Sequence, residues 1–143
     1  MPGGTLLQLP EWARGLLEDA RVGHLALVDA AAQPRVLPVT YAIAGGAAWS
    51  VIDNKRKQTG EPARLRWLRR APRAALTVDH YSDDWSELRW VQLLGEVTIL
   101  DGAPTGEGLD ALAARYEQYR SDPPPGPLLR LNIARVVWWS AAS

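Results

Sequence analysis

Apolar positions recur along this chain in two rhythms, one matching the turn of a helix and one alternating, and the switches between them mark its elements. Between Pro10 and Arg21 the residues Trp12, Ala13, Leu16, Leu17 and Ala20 fall on one helical face, with proline in the permissive first turn. Val22 to Val28 is then a short apolar run closed by Asp29-Ala-Ala-Ala-Gln-Pro34, and Arg35 to Ile43 is a second, closed by Gly45-Gly46. With a third run at Ala47 to Ile52, these read as an antiparallel meander.

Helical spacing returns from Glu61 to Ala71, with Leu65 and Leu68 inward. Alternation follows in Arg73 to Asp79 and again, over a longer stretch, in Leu88 to Leu100, where Val91, Leu93, Val97 and Ile99 share one side. A third helix is expected from about Thr105 to Arg120 on the face made by Leu109, Leu112, Ala113, Tyr116 and Tyr119. Pro123 to Pro125 and Gly126 end it, and Leu129, Leu131 and Ile133 open a last strand running into Val136-Val-Trp-Trp139. Six strands and three peripheral helices predict a mostly β protein, a small antiparallel barrel with flanking helices.

The length, 143 residues, suits one domain spanning the chain and is short for two. Lysines and arginines number 16 and so do the acids, which argues against a general nucleic-acid or membrane surface. The absence of cysteine removes disulfides and thiolate chemistry, and His24 and His80, far apart in sequence, form no paired metal-ligand spacing. The start lacks a signal-peptide pattern and no apolar run approaches a membrane span, so a soluble cytoplasmic protein is expected. No dinucleotide fingerprint, phosphate loop or nucleophile elbow is present, so any catalysis is expected to lean on an organic cofactor.

Against this neutral background, Asp53-Asn-Lys-Arg-Lys-Gln-Thr59 stands out as three adjacent cations where a strand hands over to a helix. The first amides of a helix lack internal partners and its dipole favours negative charge, so such a junction suits an anion. More cations follow in Arg64-Leu-Arg-Trp-Leu-Arg-Arg-Ala-Pro-Arg73. A basic run of this length is also common as a solvated connection, and both readings stand on the sequence alone. Trp12, Trp49, Trp67 and Trp138 read as packing.

The strand order, Arg35-Val-Leu-Pro-Val-Thr-Tyr41, the basic loop, Arg69-Arg-Ala-Pro-Arg73 and the run from Trp90 to Glu96 through Gly95 together resemble the pyridoxamine 5'-phosphate oxidase-like split barrels. With Lys55-x-Lys57 upstream, Asp79-His-Tyr-Ser-Asp-Asp-Trp85 is most similar to their actinobacterial branch of oxidoreductases dependent on the deazaflavin coenzyme F420. The resemblance implies a six-stranded split β-barrel of the FMN-binding type, forming a homodimer with two cofactor clefts at its interface. It implies that the backbone of Pro38, Val39 and Thr40 lies along the tricyclic ring, with Val51, Ile52 and Asp53 beside it. Lys55, Lys57, Thr59 and Arg64 would face the phosphate, and Trp85, Trp90 and Gln92 would line the partner subunit's wall.

On that resemblance the function is hydride transfer from reduced F420 to a small unsaturated, quinone-like or tetrapyrrole substrate. FMN is the alternative cofactor, and a carrier without turnover the alternative role. A vitamin B6 oxidase is not expected, since the chain ends at Trp138-Trp-Ser-Ala-Ala-Ser143, short of a longer substrate-binding tail. Several of these residues have plainer readings: Pro38 could mark an edge strand or a bulge, and Thr40 is a good strand former. His80 with Asp83 and Asp84 could serve acid–base work, but hydride transfer needs no such group, so no catalytic residue is assigned.

Overall fold

A computed structural model describes residues 2–53 and 60–142 of the chain. The strands are β1 (Gly3–Gly4), β2 (Gly23–Val28), β3 (Pro34–Val39), β4 (Ala42–Ala44), β5 (Ala47–Val51), β6 (Arg73–His80), β7 (Arg89–Leu100) and β8 (Leu128–Ser140). The helices are α1 (Glu11–Asp19), α2 (Ala63–Arg70), α3 (Gly106–Arg115) and α4 (Glu117–Ser121), with short 3-10 turns at Leu6–Gln8 and Trp85–Glu87. All strand pairs are antiparallel, in the order β3-β2-β6-β7-β8-β5-β4, with β1 added beside β8.

The mostly β, antiparallel expectation holds, but the sheet has eight strands and is not closed. Part of the difference is the two-residue β1, too short to carry an alternation. The rest is the run from Arg35 to Ile43, read from sequence as one strand and split in the structure into β3 and β4. These two are the opposite edges of the sheet, yet only Thr40 and Tyr41 join them. Three Cα steps span at most about 11 Å, so the sheet has to curl until its edges nearly meet. That curl makes the barrel, and the crossover at Thr40-Tyr41 bridges its split. Pro34 and Pro38 sit on the edge strand β3, where a missing N–H costs no ladder bond on the open side.

Inside the curl, Leu25, Leu76, Val91, Leu93, Leu131 and Val136 form the main core, closed at its ends by Leu17 of α1 and Leu65 and Leu68 of α2. A second cluster lies outside, where Leu112 of α3, Tyr119 of α4 and Tyr116 between them cover Trp49, Val51 and Leu128. Gly108 permits this contact: a Cβ there would lie 2.2 Å from Trp49 Cε3. Gly108→Ala is therefore expected to lift α3 off β5 and cost about 2 kcal/mol, read as a lowered denaturant midpoint with an unchanged m-value.

The predicted third helix is broken at Tyr116, whose backbone is extended (φ −122°, ψ 111°). Its hydroxyl accepts from the Tyr41 amide (3.1 Å) and has the Arg21 and Tyr41 carbonyls within reach of its single O–H (2.9 and 3.1 Å). A buried crossover needs partners for its main-chain groups, and that demand overrides the local preference for an unbroken helix.

The long pair β7–β8 carries a bulge between Leu94 and Gly95, where Ala134 is the extra residue on β8. An inserted residue reverses which face the following side chains occupy. Leu129 and Leu131 point to the core before it, and Val136 does so after it.

Candidate functional site

The crossover is tied to the rest of the fold through side-chain hydrogen bonds on both of its residues. Ser50 Oγ donates to the Thr40 carbonyl (2.8 Å), and Thr40 Oγ1 shares a hydrogen bond with Tyr119 Oη (2.7 Å). Tyr41, fully buried, donates from its hydroxyl to the Leu17 carbonyl (2.6 Å). Arg115 lies over the Tyr41 ring at 4.9 Å and caps the end of α1 through the Leu17, Glu18 and Ala20 carbonyls. Helix α1, the crossover and α3–α4 are thus locked together through tyrosine hydroxyls.

Burial pushes the Tyr41 phenol up to about 12, against a smaller opposing pull from Arg115. A raised pKa means that the folded state holds this proton where the unfolded chain, near its ordinary value of 10, has lost it. The contribution is complete below pH 10 and disappears as pH climbs through about 12. Unfolding free energy should therefore fall by about 2 kcal/mol across that interval, and in Tyr41→Phe this part of the decline should be missing from chemical denaturation series.

The sequence-predicted ring-side residues fall into two groups around this crossover. Val39 ends β3 with its side chain in the core, Pro38 is exposed beside it, and Thr40 is half-buried. Val51 and Ile52 are also buried, so both segments could offer a ligand mainly their main chain. The Ser50–Thr40 bond brings the two segments side by side. The Ile52 N–H and C=O are already engaged, with the Pro127 carbonyl and the Gly126 amide (both 3.1 Å), so β5 ends tied to the proline-rich segment. Asp53 is exposed at the start of the basic loop.

Lys55, Lys57 and Thr59 lie outside the described residues. Of the described residues on either side, Ile52 is tied as above and Glu61 is held by two arginines. Arg66 donates to the Glu61 carbonyl (2.6 Å), and Arg69 bridges the Glu61 and Asp101 carboxylates (2.7 and 2.6 Å). These hydrogen bonds raise the pKa of Arg69 and lower that of Asp101.

Arg64, in the first turn of α2, is half-buried, and burial lowers its pKa from the ordinary arginine value, though arginine stays charged at any working pH. It forms no hydrogen bond or ion pair with the described residues, whereas Arg66 and Arg69 on the same helix are both engaged. A partly desolvated guanidinium that the described residues leave without an acceptor suits an anion.

Trp85, Trp90 and Gln92 are not brought to this place within one chain. Trp85 is 68% exposed in its 3-10 turn, and Trp90 and Gln92 are half-buried on β7, two strands from β5 and three from β3. Gln92 shares a transverse row with Thr77, His24 and Pro38, all on the outer face of the sheet. Sequence reasoning missed Ser50 and used Tyr116 and Tyr119 only as apolar helix positions. Their hydroxyls were the available signal, since a buried tyrosine normally finds a partner. Among the described residues no cluster of ligands could hold a metal ion, and no helix is long and apolar enough to cross a membrane.

The fold of this chain is shared with known proteins. The pyridoxamine 5'-phosphate oxidase family matches residues 9–140, and the chain belongs to that family. A heme-binding protein from Mycobacterium smegmatis superposes with a TM-score of 0.69 at 23% identity over 90% of this chain and 52% of the other, so this chain spans about half its length. An F420 reductase matches with a TM-score of 0.67 at 23% identity, covering 90% of this chain and 98% of that one. A FAD-binding protein from Mesorhizobium loti gives 0.63 at 20% identity, covering 96% and 95%. No curated protein matches the chain significantly. At these identities the likeness is one of fold.

Proposed function

We propose that this protein is an oxidoreductase that uses coenzyme F420 to deliver hydride to a small unsaturated, quinone-like or tetrapyrrole substrate. The observation that carries the reading is Arg64: a half-buried guanidinium in the first turn of α2, directly after the basic loop, with no hydrogen bond or ion pair to the described residues. The likeness to an F420 reductase over 98% of that protein's length supports the same choice.

In this reading Lys55, Lys57, Thr59 and Arg64 hold the phosphate, lysine as a point charge and arginine as a planar fork. The main chain of Pro38, Val39 and Thr40 forms one wall for the ring, kept in place by Ser50 and Tyr119, and Val51 to Asp53 form the adjoining wall. Bound there, the coenzyme supplies a two-electron hydride donor at a ring carbon. The protein's own part is orientation and exclusion of water by Val39, Val51 and Tyr41, which bury the back of the site.

The protein acts as a homodimer in the cytoplasm, the second copy bringing Trp85, Trp90 and Gln92 to the cleft. Val36 (63% exposed) and Trp139 (37% exposed), both on the outer sheet face, support burial of that face by a second copy.

Fluorescence titration with F420 and with FMN tests the cofactor. Tighter binding of F420 is expected, and a tighter constant for FMN would overturn the choice in favour of an FMN reductase, the reading that the likeness to a FAD-binding protein supports. Reduced F420 mixed with the protein should then be oxidised on adding quinones, biliverdin-like tetrapyrroles or nitroaromatics. Silence across such a panel would make the protein a carrier.

A further inference from the structure

On the outer face of β6, β7 and β8, away from the crossover, a groove of about 940 Å³ opens over the β7–β8 bulge. Three arginines line it, Arg73, Arg130 and Arg135, together with Asn132 and a single carboxylate, Glu96. None of the three arginines makes a hydrogen bond or ion pair with the described residues, and Glu96 lies within salt-bridge distance of none of them. In a chain whose charges cancel, three guanidiniums against one carboxylate make a local positive patch.

The bulge is what assembles it. Arg130 and Asn132 share the outer face, and regular alternation would turn Arg135 inward, toward the core. The extra residue Ala134 reverses the phase, so Arg135 comes out opposite Leu94 on the same face while Val136 takes the core position. Along β8, Arg130 and Arg135 then flank Asn132, each roughly 7 Å away along the strand direction, and Arg73 stands two strands over, roughly 10 Å to the side. All three line the one groove.

Arg130 is also pre-set for an acceptor. Its guanidinium lies over the Trp49 ring at 5.3 Å, and its Nε is shielded from solvent with no hydrogen-bond partner. Stacking occupies the planar face and leaves the N–H edge for an in-plane oxygen, the arrangement by which arginine takes oxyanions. A buried donor without an acceptor costs free energy that a bound oxyanion returns.

We propose that this groove is a binding site for a multiply charged oxyanion, a phosphoanhydride or polycarboxylate group, held by Arg73, Arg130 and Arg135, while the Asn132 amide, committed to the Glu96 carbonyl and the Thr98 hydroxyl (3.1 and 2.9 Å), fixes the floor between them. It is separate from the basic loop and does not depend on the cofactor assignment. Glu96 sets its selectivity: one carboxylate among three guanidiniums weakens simple monoanions and leaves room for ligands with enough charge to overcome it.

The test is titration of the full chain with inorganic pyrophosphate and, in a second arm, with citrate, at fixed ionic strength. It is followed by amide chemical shifts and by tryptophan fluorescence, for which Trp49 under Arg130 is the reporter. Saturable shifts at Gly95, Asn132, Ala134 and Arg135 are expected, and whichever probe binds tighter identifies the phosphate or carboxylate class. Arg135→Gln should weaken binding about tenfold, and Glu96→Gln should strengthen it several-fold. Arg135 is solvent-exposed, so its variant should keep the parent melting temperature. The proposal fails if neither probe shifts these amides, if the shifts are confined to residues 53–60, or if Arg135→Gln binds like the parent. It fails equally if Arg73→Glu and Arg135→Glu leave anion binding unchanged while altering the sedimentation of the dimer, because the groove would then be a contact between copies of this chain.

Discussion

Gly95→Ala should lose at least 3 kcal/mol of stability, the largest single-residue effect expected in this chain outside deletions of the core. A Cβ at this position would lie 1.8 Å from the Asn132 carbonyl oxygen and 2.9 Å from its carbon. Both are backbone atoms of the facing strand, so no rotamer change relieves the overlap, and β7 and β8 would have to separate at the bulge. The register on both sides depends on that bulge: twelve pairs join the two strands, and Leu93 and Val136 of the core meet beside it. Thermal unfolding with far-ultraviolet circular dichroism measures the effect. A melting temperature within a degree or two of the parent would show that the close approach of Gly95 to Asn132 does not hold in solution.

The double variant Lys57→Ala, Arg64→Gln should weaken F420 binding by on the order of 3 kcal/mol, about a hundredfold, with each single change costing about 1 to 2 kcal/mol. Lysine at 57 lies in the basic loop, and Arg64 stands where α2 begins, so both would act on the same phosphate in the proposed reading. Because a charge-assisted hydrogen bond is screened less when partly buried, the Arg64 share should resist added salt better than the Lys57 share. Titration at two salt concentrations separates the two. Unchanged affinity in the double variant would remove the phosphate from this end of the barrel, whatever the cofactor.

These two predictions draw on different kinds of information. The cations of residues 55 to 64 were legible in the sequence, because a basic run between an apolar strand and a helical pattern reads the same whatever the rest of the chain does. Arg64 gained weight only in the structure, where its neighbours Arg66 and Arg69 are engaged and it makes no hydrogen bond or ion pair with the described residues. Gly95 gave no such warning. A glycine in a strand can mark a bulge or a weak spot, and only the facing Asn132 carbonyl decides which.

Local pattern determined the strands β2, β5, β6 and β7, the helices α1 and α2 and the inward residues Leu65, Leu68, Val91 and Leu93, because period and burial coincide wherever an element has one face in the core. Resemblance added the family and the expected ligand. What the chain alone did not contain was decided by contacts between residues far apart in sequence. Tyr116 breaks a helix to serve Tyr41, 75 positions earlier. Thr40 and Tyr41 interrupt a strand because the curled sheet brings its two edges to either side of them. Ala134 reverses the face of Arg135 because the β7–β8 register admits one residue too many. In each case a main-chain group or a register had to be satisfied across the fold, and that demand is a property of the packed molecule.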